Sequence, residues 1–338
     1  MTIKENFDLT NLNTFKVKAF ARYFVKAKTE TELTDALEFA KKKNLQILFL
    51  GEGSNILFTK DFDGLVINLA FDKILIEEED DETALIIADA GAKWDDAVDF
   101  AVRNELWGVE NLSAIPGTAG AAPVQNIGAY GTEISQTLDF IEGYEIETIK
   151  KHRLQKSECD FGYRTSVFKT ELKNKFVITK IALRLSKKPK PNLNYRDLRE
   201  RFSERNPNEI SLSEIRGAIT EIRNAKLPSP SDFPNAGSFF KNPVIEKEKL
   251  AALKKKFPQL TFHGINKDLV KLSAAQLIDF AGLKGFREND AGVSEKHALV
   301  LVNYGNASGK EVFALAEKIR NTVLEKFNIS LEFEVNVI

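Results

Sequence analysis

Two glycine-rich segments, GEGSNILF at Gly51–Phe58 and IPGTAGAAPVQNIGAYG at Ile115–Gly131, constrain this chain more than any other feature. Gly117, Gly120, Gly128 and Gly131, interleaved with Ala119, Ala121 and Ala122, carry little side-chain bulk. Such loops leave backbone N–H groups uncovered, so a pyrophosphate can approach within hydrogen-bond range. No Gly-Lys-Ser/Thr follows either run, and the spacing after Leu50 does not match the dinucleotide fingerprint that opens a Rossmann helix. One such loop alone reads as a turn. Two of them, with Asn55, Pro116, Pro123, Gln125 and Asn126 among their residues, read as a cofactor cradle.

Composition narrows the chemistry. The chain has 338 residues, enough for two or three domains with substantial cores. Lys and Arg number 48 against 49 Asp and Glu, so no general field attracts nucleic acid or an anionic membrane, and an anion must be bound locally. Cys159 is the only cysteine, which excludes an intrachain disulfide, a cysteine-rich zinc site and a CxxC redox pair. Redox chemistry therefore needs a borrowed cofactor. The acidic run Glu77–Glu82 reads as a solvated turn, and no metal site is expected. The start MTIKENFDLTNLNTF lacks an apolar signal core and no run has membrane-spanning length, so a cytoplasmic protein is expected.

Periodicity places the elements. Leu33, Ala36, Leu37 and Ala40 predict a helix over Glu30–Lys43 between strands at Ala21–Lys28 and Gln46–Leu50. Strands follow at Val66–Leu69, Ile74–Glu77, Ala84–Asp89, Phe140–Ile149 and Phe176–Leu185, with a helix at Asp95–Asn104. A helix over Ser213–Ala225 ends at the breaker LPSPSDFP, read as a domain boundary. Helices at Ala274–Ala281 and Lys310–Phe327, a strand at Ala298–Asn303 and an alternating strand at Ser330–Val337 complete an α+β pattern. His152, His263 and His297 lack a Ser or Cys partner at a known elbow, so a hydrolase triad is poorly supported.

GEGSNILF, IPGTAGAAPVQNIGAYG, CDFGYRTSVFK, NAGSFFKNP and LEFEV occur in the order found in UDP-N-acetylenolpyruvoylglucosamine reductases, and the chain resembles that bacterial flavoenzyme family from Asn13 to Glu334. The resemblance implies an FAD-binding fold of the vanillyl-alcohol-oxidase type with two FAD-binding subdomains and a substrate-binding domain. The expected division is 1–66, 67–227 with a tyrosine loop at 187–205, and 228–327, with the strand 328–338 returning to the first subdomain. It implies a cytoplasmic monomer in peptidoglycan precursor synthesis that reduces UDP-N-acetylglucosamine enolpyruvate with NADPH through FAD. Neither loop holds His or Cys, so the FAD is expected to be non-covalent.

Carried over residue by residue, the resemblance makes Arg164 and Glu334 electrostatic catalysts and Ser238 the proton donor. A guanidinium suits a carboxylate on which charge accumulates, because it stays charged and offers parallel donors. Gly51, Gly53, Ser54, Asn55, Pro116, Gly117, Gly120, Ala121, Asn126 and Gly128 are the expected FAD contacts. Tyr195, Lys226 and Asn242 are the expected substrate contacts, with Arg223 and Lys241 as further donors for a diphosphate. Tyr130 is open to two roles, a neighbour of the flavin or an apolar platform. His297 stands where some members carry a substrate-contacting glutamine, and Phe333 where the family usually has proline. No separate NADPH fingerprint is visible, as expected if both substrates use one pocket in turn. Another FAD oxidoreductase acting on an alcohol or lactone would share the glycine loops without needing Ser238, and a non-catalytic nucleotide-binding module is the alternative from outside enzymology.

Overall fold

The alternation of helical and strand periods folds into mainly antiparallel sheets with helices packed against them, the α+β class expected from the sequence. The computed structural model describes residues 1–338 and separates into two units. The first comprises Met1–Phe7, Ala21–Glu52 and Asp63–Ala225; the second comprises Asp8–Phe20, Gly53–Phe62 and Lys226–Ile338. The change of unit after Ala225 falls beside LPSPSDFP.

In the first unit, a four-stranded sheet has the order Ile3–Asp8, Phe20–Ala27, Phe62–Leu69, Gln46–Phe49, the last two strands being parallel. The helix Glu30–Lys42 starts where the Thr29 hydroxyl accepts the Glu32 N–H, and it buries Leu33, Ala36, Leu37 and Ala40. Those residues share a core with Val25, Leu65 and Ile67. A five-stranded antiparallel sheet has the order Lys150–Gln155, Leu138–Glu145, Phe176–Ser186, Thr83–Asp89, Ile74–Glu79. The helix Trp94–Arg103 buries Trp94, Ala97, Val98 and Ala101 in its core, and Leu212–Lys226 adds Leu212, Ile215, Ala218 and Ile219. The two helices are tied by a bidentate pair, Arg216 Nη1 and Nη2 to the Asp95 carboxylate at 2.7 and 2.8 Å. The acidic run lies on the last-named strand and its turn, where Glu78, Glu79 and Glu82 pair with Arg184, Lys187 and Lys188.

The second unit contains an antiparallel sheet in the order Asn235–Ser238, Val300–Asn303, Ala291–Val293, Arg287–Glu288. The helix Gly309–Phe327, opened by a reciprocal Ser308–Glu311 capping box, buries Val312, Leu315, Ala316, Ile319 and Val323. The strand expected over Ser330–Val337 is shorter than its pattern. Only Asn336–Val337 is a strand, pairing in parallel with Ile56–Leu57, and a single bridge joins Phe333 to Phe240. The alternation still records burial, since Leu331 and Val335 are 2% and 3% exposed. The strand expected over Phe140–Ile149 likewise ends at Glu145, where the chain turns into Lys150–Gln155.

Candidate active site

Arg164 sits at the tip of a tight turn in the first unit. Gly162 and Thr165 bridge one another, each N–H donating to the other's carbonyl at 3.1 and 3.3 Å, with Tyr163 and Arg164 between them. Arg164 has φ +55°, the left-handed region that a type II turn demands of its third residue. For a side chain of this size the conformation is strained by about 1 kcal/mol or more and must be held by its surroundings. The Arg164 Nη2 donates to the Gly128 carbonyl at 2.7 Å, and the guanidinium stands 5.6 Å from the Tyr163 ring centre. A Cβ at Gly128 would lie 3.1 Å from Arg164 Nη1 and 2.9 Å from Glu133 Cγ. Gly128→Ala is therefore expected to displace the guanidinium and slow turnover by about tenfold, a ~1.4 kcal/mol loss; steady-state kinetics on the FAD-saturated enzyme check this.

The amides of the second glycine loop are not bare. Those of Ala119, Gly120, Ala121 and Ala122 donate to Ala92 O, Ala90 O, Thr118 O and Thr118 O at 2.8 to 3.1 Å. Small residues here let the loop pack closely on Asp89–Ala92 instead of leaving amides uncovered, which corrects the expectation of an open cradle at these positions. Gly117 is not bare either, but its N–H donates to the Glu52 carboxylate at 2.7 Å and not to a backbone carbonyl, so this amide faces an anion. Asn126, at φ +46° and 1% exposed, spends its side chain within the chain.

The first glycine loop is different. The chain gives no acceptor to the amides of Gly51, Gly53 and Ser54. Gly53 has φ +67°, and a Cβ there would lie 2.1 Å from Leu12 O, so only glycine fits this turn. Thr14 fixes the turn through its N–H and hydroxyl, both donating to Gly53 O at 3.1 and 3.2 Å. Open amides with a fixed backbone suit a pyrophosphate, and a dinucleotide fits this donor set.

In the second unit, Ser238 ends a strand and the next residue, Phe239, accepts the Glu334 N–H at 2.8 Å. Lys241 N–H donates to Glu332 O at 2.9 Å, so the NAGSFFKNP and LEFEV segments run side by side and bring Ser238 and Glu334 to neighbouring backbone. Asn55 joins them: its Nδ2 donates to Glu334 O at 3.4 Å and its carbonyl accepts the Asn336 N–H at 3.1 Å. Phe333 supports the ladder from an aromatic cluster, with Phe239, Phe240 and Phe313 ring centres 5.6, 5.6 and 5.8 Å away. Phe333→Ala is expected to cost about 2 kcal/mol of stability, read as a lowered urea midpoint.

Lys226 ends the helix Leu212–Lys226, and Asn242 caps Ala274–Phe280, its Oδ1 accepting the Ala274 N–H at 2.9 Å. Lys241 is engaged by Glu332 at 3.0 Å. Arg223 belongs to the first unit, where its Nε donates to Ala114 O at 3.2 Å. Desolvation there lowers its pKa from the usual arginine value, against the opposing pull of neighbouring Tyr130 and Asp95. His297 accepts the Leu299 N–H on Nδ1 at 3.3 Å, which places the proton of the neutral ring on Nε2. Desolvation, then Lys226 and Lys284, push its pKa below 6.5. The unfolded chain thus binds a proton that the folded one refuses, and stability falls as pH drops below 6.5 towards the folded value. His297→Gln is expected to flatten that slope in urea titrations at pH values spanning this window.

Tyr195 is 42% exposed and meets the Tyr130 ring edge-on, centres 5.0 Å apart. Desolvation pushes the Tyr130 phenol up to about 12. Two residues that no motif announced hold this segment. Asn192 Nδ2 donates to Gly131 O and Thr132 Oγ1, both at 3.1 Å, and Asn111 Nδ2 donates to Tyr130 O and Asn192 O at 2.8 and 2.9 Å. Asn192 lies in NLNYRDL, where an asparagine in a proline-marked loop is the one available cue.

Residues 21–150 match the FAD binding domain, and residues 229–338 match the C-terminal domain of UDP-N-acetylenolpyruvoylglucosamine reductase. The UDP-N-acetylenolpyruvoylglucosamine reductases of Flavobacterium johnsoniae and Amoebophilus asiaticus are 43% and 42% identical to this chain, each over 100% of both sequences. The crystal structure of UDP-N-acetylenolpyruvylglucosamine reductase from Thermus caldophilus superposes with a TM-score of 0.69 at 25% identity, covering 100% of this chain and 99% of that one. The chain belongs to the UDP-N-acetylenolpyruvoylglucosamine reductase family.

Proposed function

We propose that this protein is an FAD-dependent oxidoreductase that uses NADPH to reduce the enolpyruvyl ether of UDP-N-acetylglucosamine, giving UDP-N-acetylmuramate for peptidoglycan synthesis. The observation that carries the reading is the ladder from Glu334 N–H to Phe239 O, which sets the Glu334 backbone beside that of Ser238–Phe239 in a chain with full-length relatives of this name. When bound, FAD supplies hydride acceptance from NADPH and hydride delivery to the substrate's terminal methylene carbon. Gly51, Gly53, Ser54 and Asn55 would hold it with Pro116, Gly117, Gly120, Ala121 and Gly128, the open amides of the first loop taking the pyrophosphate. Asn126 is left out of that set, because its N–H donates to Pro123 O at 3.1 Å and its side-chain amide is engaged by Gly162, Glu133 and Ser135.

The chain's own residues manage the charge and the proton. Hydride addition pushes an electron pair into the substrate carboxylate, and Arg164 stabilises the resulting dianion with paired N–H donors. Glu334 is the second polar partner of that charge. Ser238 donates a proton to the carbon next to the carboxylate; a hydroxyl is a weak acid, but the carbanion-like intermediate is a strong base. Lys226 and Asn242 bind the diphosphate, and Tyr195 closes over the nucleotide as in the family's longer, tyrosine-loop class.

Matched residues 21–150 and 229–338 support a division into FAD-binding subdomains at 1–66 and 67–227 and a substrate domain at 228–327. The pairing of Asn336–Val337 with Ile56–Leu57 supports return of the C-terminal strand to the first of these. NADPH and a UDP-sugar as substrates support a cytoplasmic location, where the protein is proposed to act as a monomer. Purified protein is expected to carry stoichiometric flavin that NADPH bleaches without oxygen. Protein that stays colourless after reconstitution with FAD would contradict the proposal.

A further inference from the structure

We infer that Asn126 and Ser166 are positioning residues that lock the strained Arg164 turn onto the second glycine loop, fixing the direction of the guanidinium before substrate arrives. The inference rests on the reading of Arg164 as the group that meets the substrate carboxylate.

Three anchors join the two segments. Ser166 Oγ donates to Val124 O at 2.6 Å, Asn126 Nδ2 donates to Gly162 O at 3.0 Å, and Arg164 Nη2 donates to Gly128 O at 2.7 Å. Alternate residues of the loop, 124, 126 and 128, thus hold alternate residues of the turn, 166, 162 and 164. Asn126 and Ser166 are each 1% exposed, so their bonds are shielded from water. The Asn126 amide is used on both sides, with Nδ2 also donating to Glu133 Oε2 at 2.8 Å and Oδ1 accepting the Ser135 N–H at 3.2 Å. Both donors of that amide and one lone pair of its oxygen are engaged within the chain, which favours a positioning role over the cofactor contact that the family resemblance gave it.

The turn needs such clamps. Its own bonds are long, and the left-handed arginine at its tip relaxes towards an ordinary backbone conformation unless both flanks are fixed. Asn126 holds the Gly162 flank and Ser166 the other. Asn126→Asp keeps a residue that tolerates left-handed backbone, yet it sets a carboxylate against the Gly162 carbonyl and the Glu133 carboxylate, reversing the clamp.

The test uses holoenzyme in anaerobic stopped flow. Asn126→Asp is expected to retain FAD and to be reduced by NADPH within about threefold of native, while reoxidation by the enolpyruvyl substrate slows on the order of 10²-fold, as an ångström-scale misplacement does. If Asn126 acts through Arg164, the double variant with Arg164→Ala reoxidises within about twofold of Arg164→Ala alone. Multiplying effects, loss of FAD, or equal slowing of both half-reactions would overturn the inference. A native rate in Arg164→Ala would overturn the reading of Arg164 itself, whereas a native Asn126→Asp beside a slow Arg164→Ala overturns the positioning alone. Should Asn126→Asp not fold, Ser166→Ala decides by the same rates: selective slowing of reoxidation upholds the clamp, and unchanged reoxidation sinks it.

Discussion

Replacing Ser238 by alanine leaves NADPH reduction of the bound flavin within about threefold of native and slows reoxidation by the enolpyruvyl sugar nucleotide on the order of 10³-fold. The asymmetry follows from where a proton is needed. The first half-reaction moves hydride without protonating a carbon, whereas the second leaves a carbanion-like centre that must be quenched. Ser238 sits at the end of Asn235–Ser238, fixed by Phe239 N–H to Leu299 O at 2.8 Å on one side and by the Glu334 ladder on the other. Its backbone is therefore set by sheet pairing that alanine does not disturb, and the lost rate reports the hydroxyl. Rapid-mixing absorbance of each half-reaction checks it; equal losses in both would remove Ser238 as proton donor.

Arg164→Lys is the second large effect, expected to slow the same half-reaction on the order of 10²-fold while sparing flavin reduction. Lysine keeps the charge but loses the planar donor pair and the Nη2 bond to Gly128 O. A charge acting at a distance would survive the exchange; directional hydrogen bonding to a dianion does not. Retention of full activity in Arg164→Lys would take Arg164 out of the mechanism.

Elements were legible where burial imposes a period. Leu33, Ala36, Leu37 and Ala40 mark the helix Glu30–Lys42 because one face meets a sheet. The strand Lys150–Gln155 left no trace, since KKHRLQ is an edge strand with mostly exposed side chains held by backbone pairing to Leu138–Glu145. The helix Lys247–Lys256 hid for a similar reason, burying only Leu250 and Leu253 among charged neighbours. At the site, the motif residues were legible one by one, whereas their hydrogen-bond partners were not. Composition cannot tell a glycine that uncovers an amide, as at Gly53, from one that lets the loop pack, as at Gly120. The same limit concealed the use made of Asn126, whose side-chain partners Glu133 and Gly162 lie 7 and 36 residues along the chain and carry no local signal of the pairing.

The most direct measurement is an anaerobic two-step turnover: one equivalent of NADPH to bleach the flavin, then UDP-N-acetylglucosamine enolpyruvate in the absence of oxygen. The account predicts full return of flavin absorbance with one equivalent of UDP-N-acetylmuramate formed. Flavin that stays reduced with the sugar nucleotide and recovers only on admitting oxygen would contradict it.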